Sequence, residues 1–391
     1  MKALLVERSL PRFAAARLAG DRRPGAGPLG PLRLAEVDRP ELPGAGWAEL
    51  RPLLAGICGS DLATVEGRSS RWFEPLVSFP FVPGHEVVAL DDADRRVVVQ
   101  PVLGCGPRGI DPPCAACATG ATNRCVHLAG GHLRPGLQTG FCAETGGGWS
   151  QALVAHTSQL HPVPEGWSDE AAVLVEPMAC ALHGALAGPP GEDLAVAVIG
   201  AGTLGLGVVA ALHRYRPDVS RVIAVAKHPE QAALARLLGA SSVVAPGELR
   251  RAVRRQTGSW MLDNGQLTSG VPLVVDCVGS ASSLADALAV VAPGGTVVLV
   301  GMAGQVDVDL TGLWQREVSL VGAYAYGPEP SAGGRHSFEL AFDLVADAGL
   351  ERLVSAAYPL ERHADAIDHA AHAGRRGAVK VVFDLRRPSR R

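Results

Sequence analysis

The chain has little of what several large classes of protein depend on. Lysine stands only at Lys2, Lys227 and Lys380, and acidic and basic residues nearly balance, for a formal net charge of −3. Such a chain lacks the basic field a nucleic acid requires, so no nucleic-acid partner is expected. The one basic run, RRPSRR at 386–391, reads as a solvated tail. Aromatic residues make up 5% of the chain, and no apolar run approaches the ~20 residues of a membrane span, so no membrane partner is expected either. The opening MKALLVERSL has too short an apolar stretch for a secretory signal, which predicts a cytoplasmic protein. Its eight cysteines therefore read as thiols or metal ligands before disulfides.

What is present is a long, mildly hydrophobic chain of 391 residues, enough for two cores. From residue 2 to about 102, short β-branched runs at 47–54 and 97–99 alternate with Gly and Pro, the pattern of strands joined by loops. Residues 21–32, DRRPGAGPLGPL, read as an irregular surface excursion. After Pro190 apolar runs at 195–199, 222–225, 273–277, 296–300 and 318–322 alternate with Ala-rich helical stretches. Buried apolar strands alternating with helices predict a doubly wound parallel sheet, an α/β fold. Beyond Gly327 the pattern is mixed and ends in a strand-like run at 378–385, which could rejoin the first domain.

Residues 196–205, VAVIGAGTLG, set G-x-G-x-x-G at Gly200, Gly202 and Gly205, with Thr203 and Leu204 between, directly after a strand and before an amphipathic helix. That context marks a dinucleotide site: Gly200 for the tight turn, Gly202 for approach of a pyrophosphate, Gly205 for packing of helix on strand. The acid that usually holds the adenosine ribose some twenty residues on is missing; Ala226, Lys227 and His228 follow the strand VIAV instead. A cation there suits a 2′-phosphate and favours NADP(H) over NAD(H).

Two groups of residues suggest metals. Cys114, Cys117 and Cys125 form C-x2-C-x7-C with Cys105 nine residues upstream, a cluster that suits a closed structural zinc site. Cys58 in GICGSD, His85 and Glu86 in GHE, and Glu176 in EPMA supply a thiolate, an imidazole and two carboxylates, enough for a catalytic zinc with an open position.

GICGSD, GHE, the cysteine-rich lobe, EPMA and GAGTLG, in that order, resemble the zinc-containing medium-chain dehydrogenases, especially the branch with sorbitol and threonine dehydrogenases. The resemblance implies a GroES-like β-rich catalytic domain interrupted by a Rossmann domain: 1–187 with the lobe at about 101–130, then 188–326, then 327–391 returning to the first. It implies two zinc ions per chain, a small-molecule alcohol or carbonyl substrate, and a homodimer or homotetramer. Carried over by position, Cys58 and His85 match zinc ligands, and Glu86 and Glu176 match carboxylates that ligate directly or through water. Ser60 matches the hydroxyl that passes on the substrate proton, and Asp61 the acid that orients the zinc-bound histidine. Lys380 falls where the family has a cation near the cofactor phosphates, and Val278 and Val300 where it has neighbours of the nicotinamide.

Three departures bear on function. PRGIDPP separates Cys105-Gly106 from Cys114, so either all four cysteines are kept around an insertion or Asp111 replaces Cys105. Ala63 stands where relatives carry a relay histidine, and Ala325 in GAYAY where the polyol-oxidising branch carries arginine. The last loss disfavours an NAD-dependent polyol or amino-alcohol dehydrogenase against an enzyme for a bulkier, less polar alcohol or ketone. Trp72, Phe73, Trp149, Tyr324 and Tyr326 could line its pocket, although aromatics at loop and strand positions are at least as often plain core. A zinc-stabilised cofactor-binding protein without turnover is the alternative from another class.

Overall fold

A computed structural model describes residues 1–19 and 30–386. Most of the excursion expected at 21–32, and the basic tail beyond Arg386, lie outside the described residues. The chain forms two units, 1–176 with 349–391 and 177–348. No helix among the described residues is long and apolar enough to cross a membrane.

The first unit is built on a mixed sheet whose order runs Val354–Tyr358, Lys380–Asp384, Trp47–Gly56, Val87–Leu90, Arg96–Val99, Leu160–Pro162, with Leu153–His156 paired to the start of the long strand. That long strand joins the parts: Lys380–Asp384, near the end of the chain, pairs antiparallel with its far end, Val382 opposite Gly56. Apolar side chains alternate into one core containing Leu50, Ala55, Val87, Val97, Val381 and Phe383. Trp149 closes this core, 5.1 Å from the Phe383 ring, with its indole N–H donating to the Gly56 carbonyl at 3.1 Å.

The second unit is the parallel sheet read from the apolar runs. Its order is Ser242–Val244, Val219–Val225, Leu194–Ile199, Val271–Asp276, Val291–Leu299, Ser319–Gly322. The chain winds outward in both directions from the central pair Leu194–Ile199 and Val271–Asp276, so the strand order reverses between them, at the place where such sheets bind ligands. The unit limits at 176 and 348 differ from the expected domain limits at 187 and 326 for a visible reason. Helix Val175–Leu186 packs into the second unit, where a side chain on Gly207 would collide with Met178 and Ala181. At the other limit, helix Ser337–Ala348 is tied to helix Thr203–Tyr215 by Tyr215 Oη donating to the Leu340 carbonyl at 3.0 Å and by an Arg214–Asp347 pair at 2.8 Å.

The cysteine lobe has only a small apolar cluster, in which Leu103 and Leu133 join Trp47 and Val154, and a buried cation adds to its organisation. Arg108, inside the insertion, is fully buried and donates to the carbonyls of Leu103, Gly130 and Gly136 at 3.0, 2.9 and 2.6 Å. Burial lowers its pKa, an effect that the surrounding anions only partly oppose. Arg108→Met should leave these carbonyls without a donor and cost about 3 kcal/mol. A thermal midpoint lowered by about 6 °C or more would show it; an unchanged midpoint would mean that the lobe does not depend on this side chain.

Candidate functional site

The GICGSD segment folds as a strand end followed by helix Gly59–Val65, with Cys58 at the helix N-cap. Asp61 does two things from the first turn. One carboxylate oxygen accepts the Cys58 backbone N–H at 3.0 Å, capping the helix, and the other faces His85 Nδ1 at 3.4 Å. The motif thus places thiol and acid together because the same residue that caps the helix also turns the imidazole. The donor atoms of Cys58, His85 and Glu86 lie within 4.8 Å of one another, with His85 and Glu86 buried and Cys58 half-buried. Burial disfavours a charged His85, but Asp61 and then Cys58 more than offset this and raise its pKa well above the ordinary value. A thiol, a carboxylate and an imidazole backed by Asp61 form a donor set that fits a divalent cation.

Glu176 is buried in the first turn of helix Val175–Leu186 but stands outside this three-residue cluster. Ser60 is half-buried on helix Gly59–Val65, and its carbonyl accepts the Thr64 hydroxyl at 2.9 Å. Ala63 is buried and offers no proton path.

Lys380, placed by resemblance beside the cofactor phosphates, is buried in the first unit, ion-paired with Glu86 and donating to the Ile57 carbonyl at 3.2 Å. Burial works against its charge, yet Glu86, Cys58 and Glu176 more than compensate and raise its pKa. Its charge is engaged within the first unit. Gly56 makes room for the pair: a Cβ there would fall 1.8 Å from Glu86 Oε2 and 2.8 Å from Lys380 Cε.

Of the candidate aromatics, two take the plain core role the sequence left open. Trp149 and Tyr326 are wholly buried core residues, and Trp72 is exposed. The ring that does stand beside the site is Phe141, 5.8 Å from the His85 ring, a neighbour no sequence motif announced.

In the lobe all four cysteines converge. Cys105 Sγ lies 3.7 Å from Cys125 Sγ and accepts the Cys114 backbone N–H at 3.3 Å, while Cys117 Sγ accepts the Cys105 N–H at 3.5 Å. Backbone N–H groups of Cys117 and Val126 lower the Cys114 pKa to about 6, whereas burial raises Cys117 and Cys125. Thiols crowded this closely cannot all ionise without a cation between them, and thiolates on a tetrahedral zinc stand about 3.8 Å apart, so the set fits zinc. Asp111 is exposed and takes no part, which removes it as a substitute for the fully buried Cys105. His127 does join the cluster. Its position two residues after Cys125 was the only available signal.

In the second unit Gly200 takes a φ of +95°, which favours glycine, and a Cβ on Gly205 would lie 1.8 Å from the Gly200 carbonyl oxygen. Gly202 is different: it caps helix Thr203–Tyr215, and a Cβ there meets nothing within 4 Å. The N–H groups of Thr203 and Leu204 belong to the first turn of this helix, the place where such folds receive an anion. Val278 packs its methyl groups over Gly200, and Val300 packs on Gly184. The turn holding Val278 is anchored by buried Asp276, which accepts from Val278 N and Gly279 N at 2.8 and 3.1 Å and from Ser283 Oγ at 2.8 Å. Nothing in the dinucleotide motif announced that carboxylate. Lys227 is exposed and His228 caps helix Pro229–Leu237.

Two outcomes follow. Lys380→Met should strand a buried Glu86 carboxylate and destabilise the protein by about 3–5 kcal/mol, while Lys380→Met with Glu86→Gln should recover most of it; equal losses in thermal melts of the two variants would refute the pairing. Gly205→Ala should lower the melting temperature, whereas Gly202→Ala should leave it unchanged and weaken dinucleotide binding in fluorescence titrations.

Residues 44–165 match the alcohol dehydrogenase GroES-like domain family and residues 203–347 the zinc-binding dehydrogenase family, together more than half of the chain. The chain is 27% identical over 360 residues to the starvation-sensing protein RspB of Escherichia coli, covering 86% of this chain and 92% of that one. It is 25% identical over 359 residues to a sorbitol dehydrogenase of Arabidopsis thaliana, covering 88% and 90%. Among solved structures it superposes on the alcohol dehydrogenase TADH from Thermus sp. ATN1 with a TM-score of 0.68 at 25% identity, covering 98% of this chain and 99% of the other. The motifs, the two-unit α/β architecture and these matches agree: the chain belongs to the zinc-dependent medium-chain alcohol dehydrogenases, in the sorbitol dehydrogenase-like branch, and is an oxidoreductase.

Proposed function

We propose that this oxidoreductase transfers hydride between a secondary alcohol or ketone, less polar than a simple polyol, and NADP(H). The observation that carries the reading is the buried convergence of Cys58, His85 and Glu86 around a common point, with Asp61 behind the imidazole. These three residues would hold a catalytic zinc, with Glu176 supporting it directly or through water, and the four lobe cysteines would hold a structural one. Bound there, zinc would act as a Lewis acid that favours the alkoxide of an alcohol or polarises a ketone. The side chains supply the rest. Asp61 fixes the His85 ring, Glu86 is held by Lys380, and Ser60 passes the substrate proton outward. Since Ala63 cannot continue that path, water or another residue would complete it.

The less polar substrate is supported by Ala325, which provides no guanidinium to a polyol hydroxyl, and by Phe141 beside the zinc-ligating imidazole. NADP(H) is supported by Lys227 after the strand Val219–Val225, where no acid is present to repel a 2′-phosphate. The cofactor would lie over Gly202, Thr203, Leu204 and Gly205, with Val278 and Val300 nearer its nicotinamide. The edge strand Ser319–Gly322, exposed at all four residues, supports a homodimer or homotetramer.

Turnover of a panel of secondary alcohols and ketones with each cofactor tests the assignment. Cys58→Ala should abolish turnover and leave NADPH binding intact. Lys227→Ala should weaken NADPH binding about tenfold and leave NADH unchanged, as expected for one charge-assisted contact. Wild-type preference for NADH, or for sorbitol over simple ketones, would reverse the corresponding half of the proposal.

A further inference from the structure

A closed tetrahedral site uses four donors, and the lobe offers five. His127 Nδ1 lies 3.3 Å from Cys105 Sγ, and the donor atoms of Cys105, Cys114, Cys125 and His127 are all within 4.8 Å of one another. Cys117 is not in that set, although its sulfur reaches the Cys105 N–H at 3.5 Å. Around one tetrahedral zinc, sulfur stands about 3.8 Å from sulfur and about 3.5 Å from an imidazole nitrogen. The separations here, 3.7 Å between Cys105 and Cys125 and 3.3 Å between Cys105 and His127, suit one shared ligand position each. The backbone also favours it: the His127 N–H donates to Cys125 Sγ at 3.4 Å, so the chain turns back on the cluster directly after Cys125 and carries the half-buried ring with it.

We propose that His127 is a fifth donor of this lobe, interchangeable with Cys117 as the fourth ligand of a single zinc-class cation. The inference rests on reading the four cysteines as a metal site. Either donor completes a set that zinc accepts, three thiolates with imidazole or four thiolates, and the first carries one negative charge fewer. Cys117 belongs to the four-residue helix Ala115–Ala118, and His127 to the chain beyond Cys125, so exchanging them needs no change at Cys105, Cys114 or Cys125. The lobe would keep its metal when one thiol is lost.

The test compares the wild type with Cys105→Ser, Cys117→Ser, His127→Asn and the double variant Cys117→Ser with His127→Asn. Metal per chain is measured by plasma mass spectrometry, and zinc release by a chromophoric chelator, with thermal melts to show that each variant is folded. Cys117→Ser and His127→Asn should each keep the lobe metal, and the double variant should lose about one ion per chain. In cobalt-substituted protein, Cys117→Ser should lose about a quarter of the lobe's thiolate-to-cobalt absorption, one sulfur of four at that site, with the Cys58 contribution removed by comparison with Cys58→Ala. Cys117→Ser losing its metal as completely as Cys105→Ser would overturn the proposal, as would a double variant that retains metal as well as Cys117→Ser alone. A Cys105→Ser variant with full metal content would sink the metal reading of the lobe itself, and this proposal with it.

Discussion

The catalytic unit is organised around one buried ion pair, Glu86 with Lys380. Two charged groups removed from water are tolerated only when each satisfies the other, and each of these comes from a distant part of the chain. Glu86 follows the histidine of the GHE motif, and Lys380 opens the last strand of the first unit. Their pairing requires that strand to lie beside Trp47–Gly56, requires glycine at position 56, and leaves Glu86 oriented next to Cys58 and His85. A chain cut before residue 380 would therefore leave the metal-ligand set with an uncompensated carboxylate, which explains why the final strand belongs to the first unit although the whole second unit intervenes.

The second unit depends on a different constraint, the close approach of backbone to backbone. The Gly200 carbonyl lies where a Gly205 side chain would be, so the helix Thr203–Tyr215 starts hard against the end of its strand, and Gly207 continues that approach against helix Val175–Leu186. Asp276 then secures the neighbouring turn by accepting two backbone N–H groups and a serine hydroxyl. Together these define a helix N-terminus and a fixed turn at the point where the strand order reverses, the electrostatic setting in which a dinucleotide phosphate is held.

How far the sequence could be read depended on whether the chemistry was local. G-x-G-x-x-G is a local device, and the roles assigned to its first and third glycines follow from atoms within five residues of each other. The Cys58–Asp61 arrangement is likewise set within one helical turn. The aromatics were not readable in this way: Trp149 is wholly buried against Phe383, while Phe141 packs against the edge of the same core and also stands by His85. Lys380 was legible as an unusual residue in a chain that otherwise uses arginine, but not as the partner of Glu86.

The sequence by itself determined the two-unit α/β plan and the family, and it singled out the residue types that could hold metal, because strand periodicity, glycine turns and cysteine spacing are all short-range patterns. Tertiary structure alone decided that Lys380 neutralises Glu86, that Glu176 stands apart from the tight cluster, that Asp111 stays outside the lobe and that His127 enters it. The reason is physical. A buried charge or a metal donor acquires its role from whatever the fold brings within a few ångströms of it, and sequence separation carries no information about that distance.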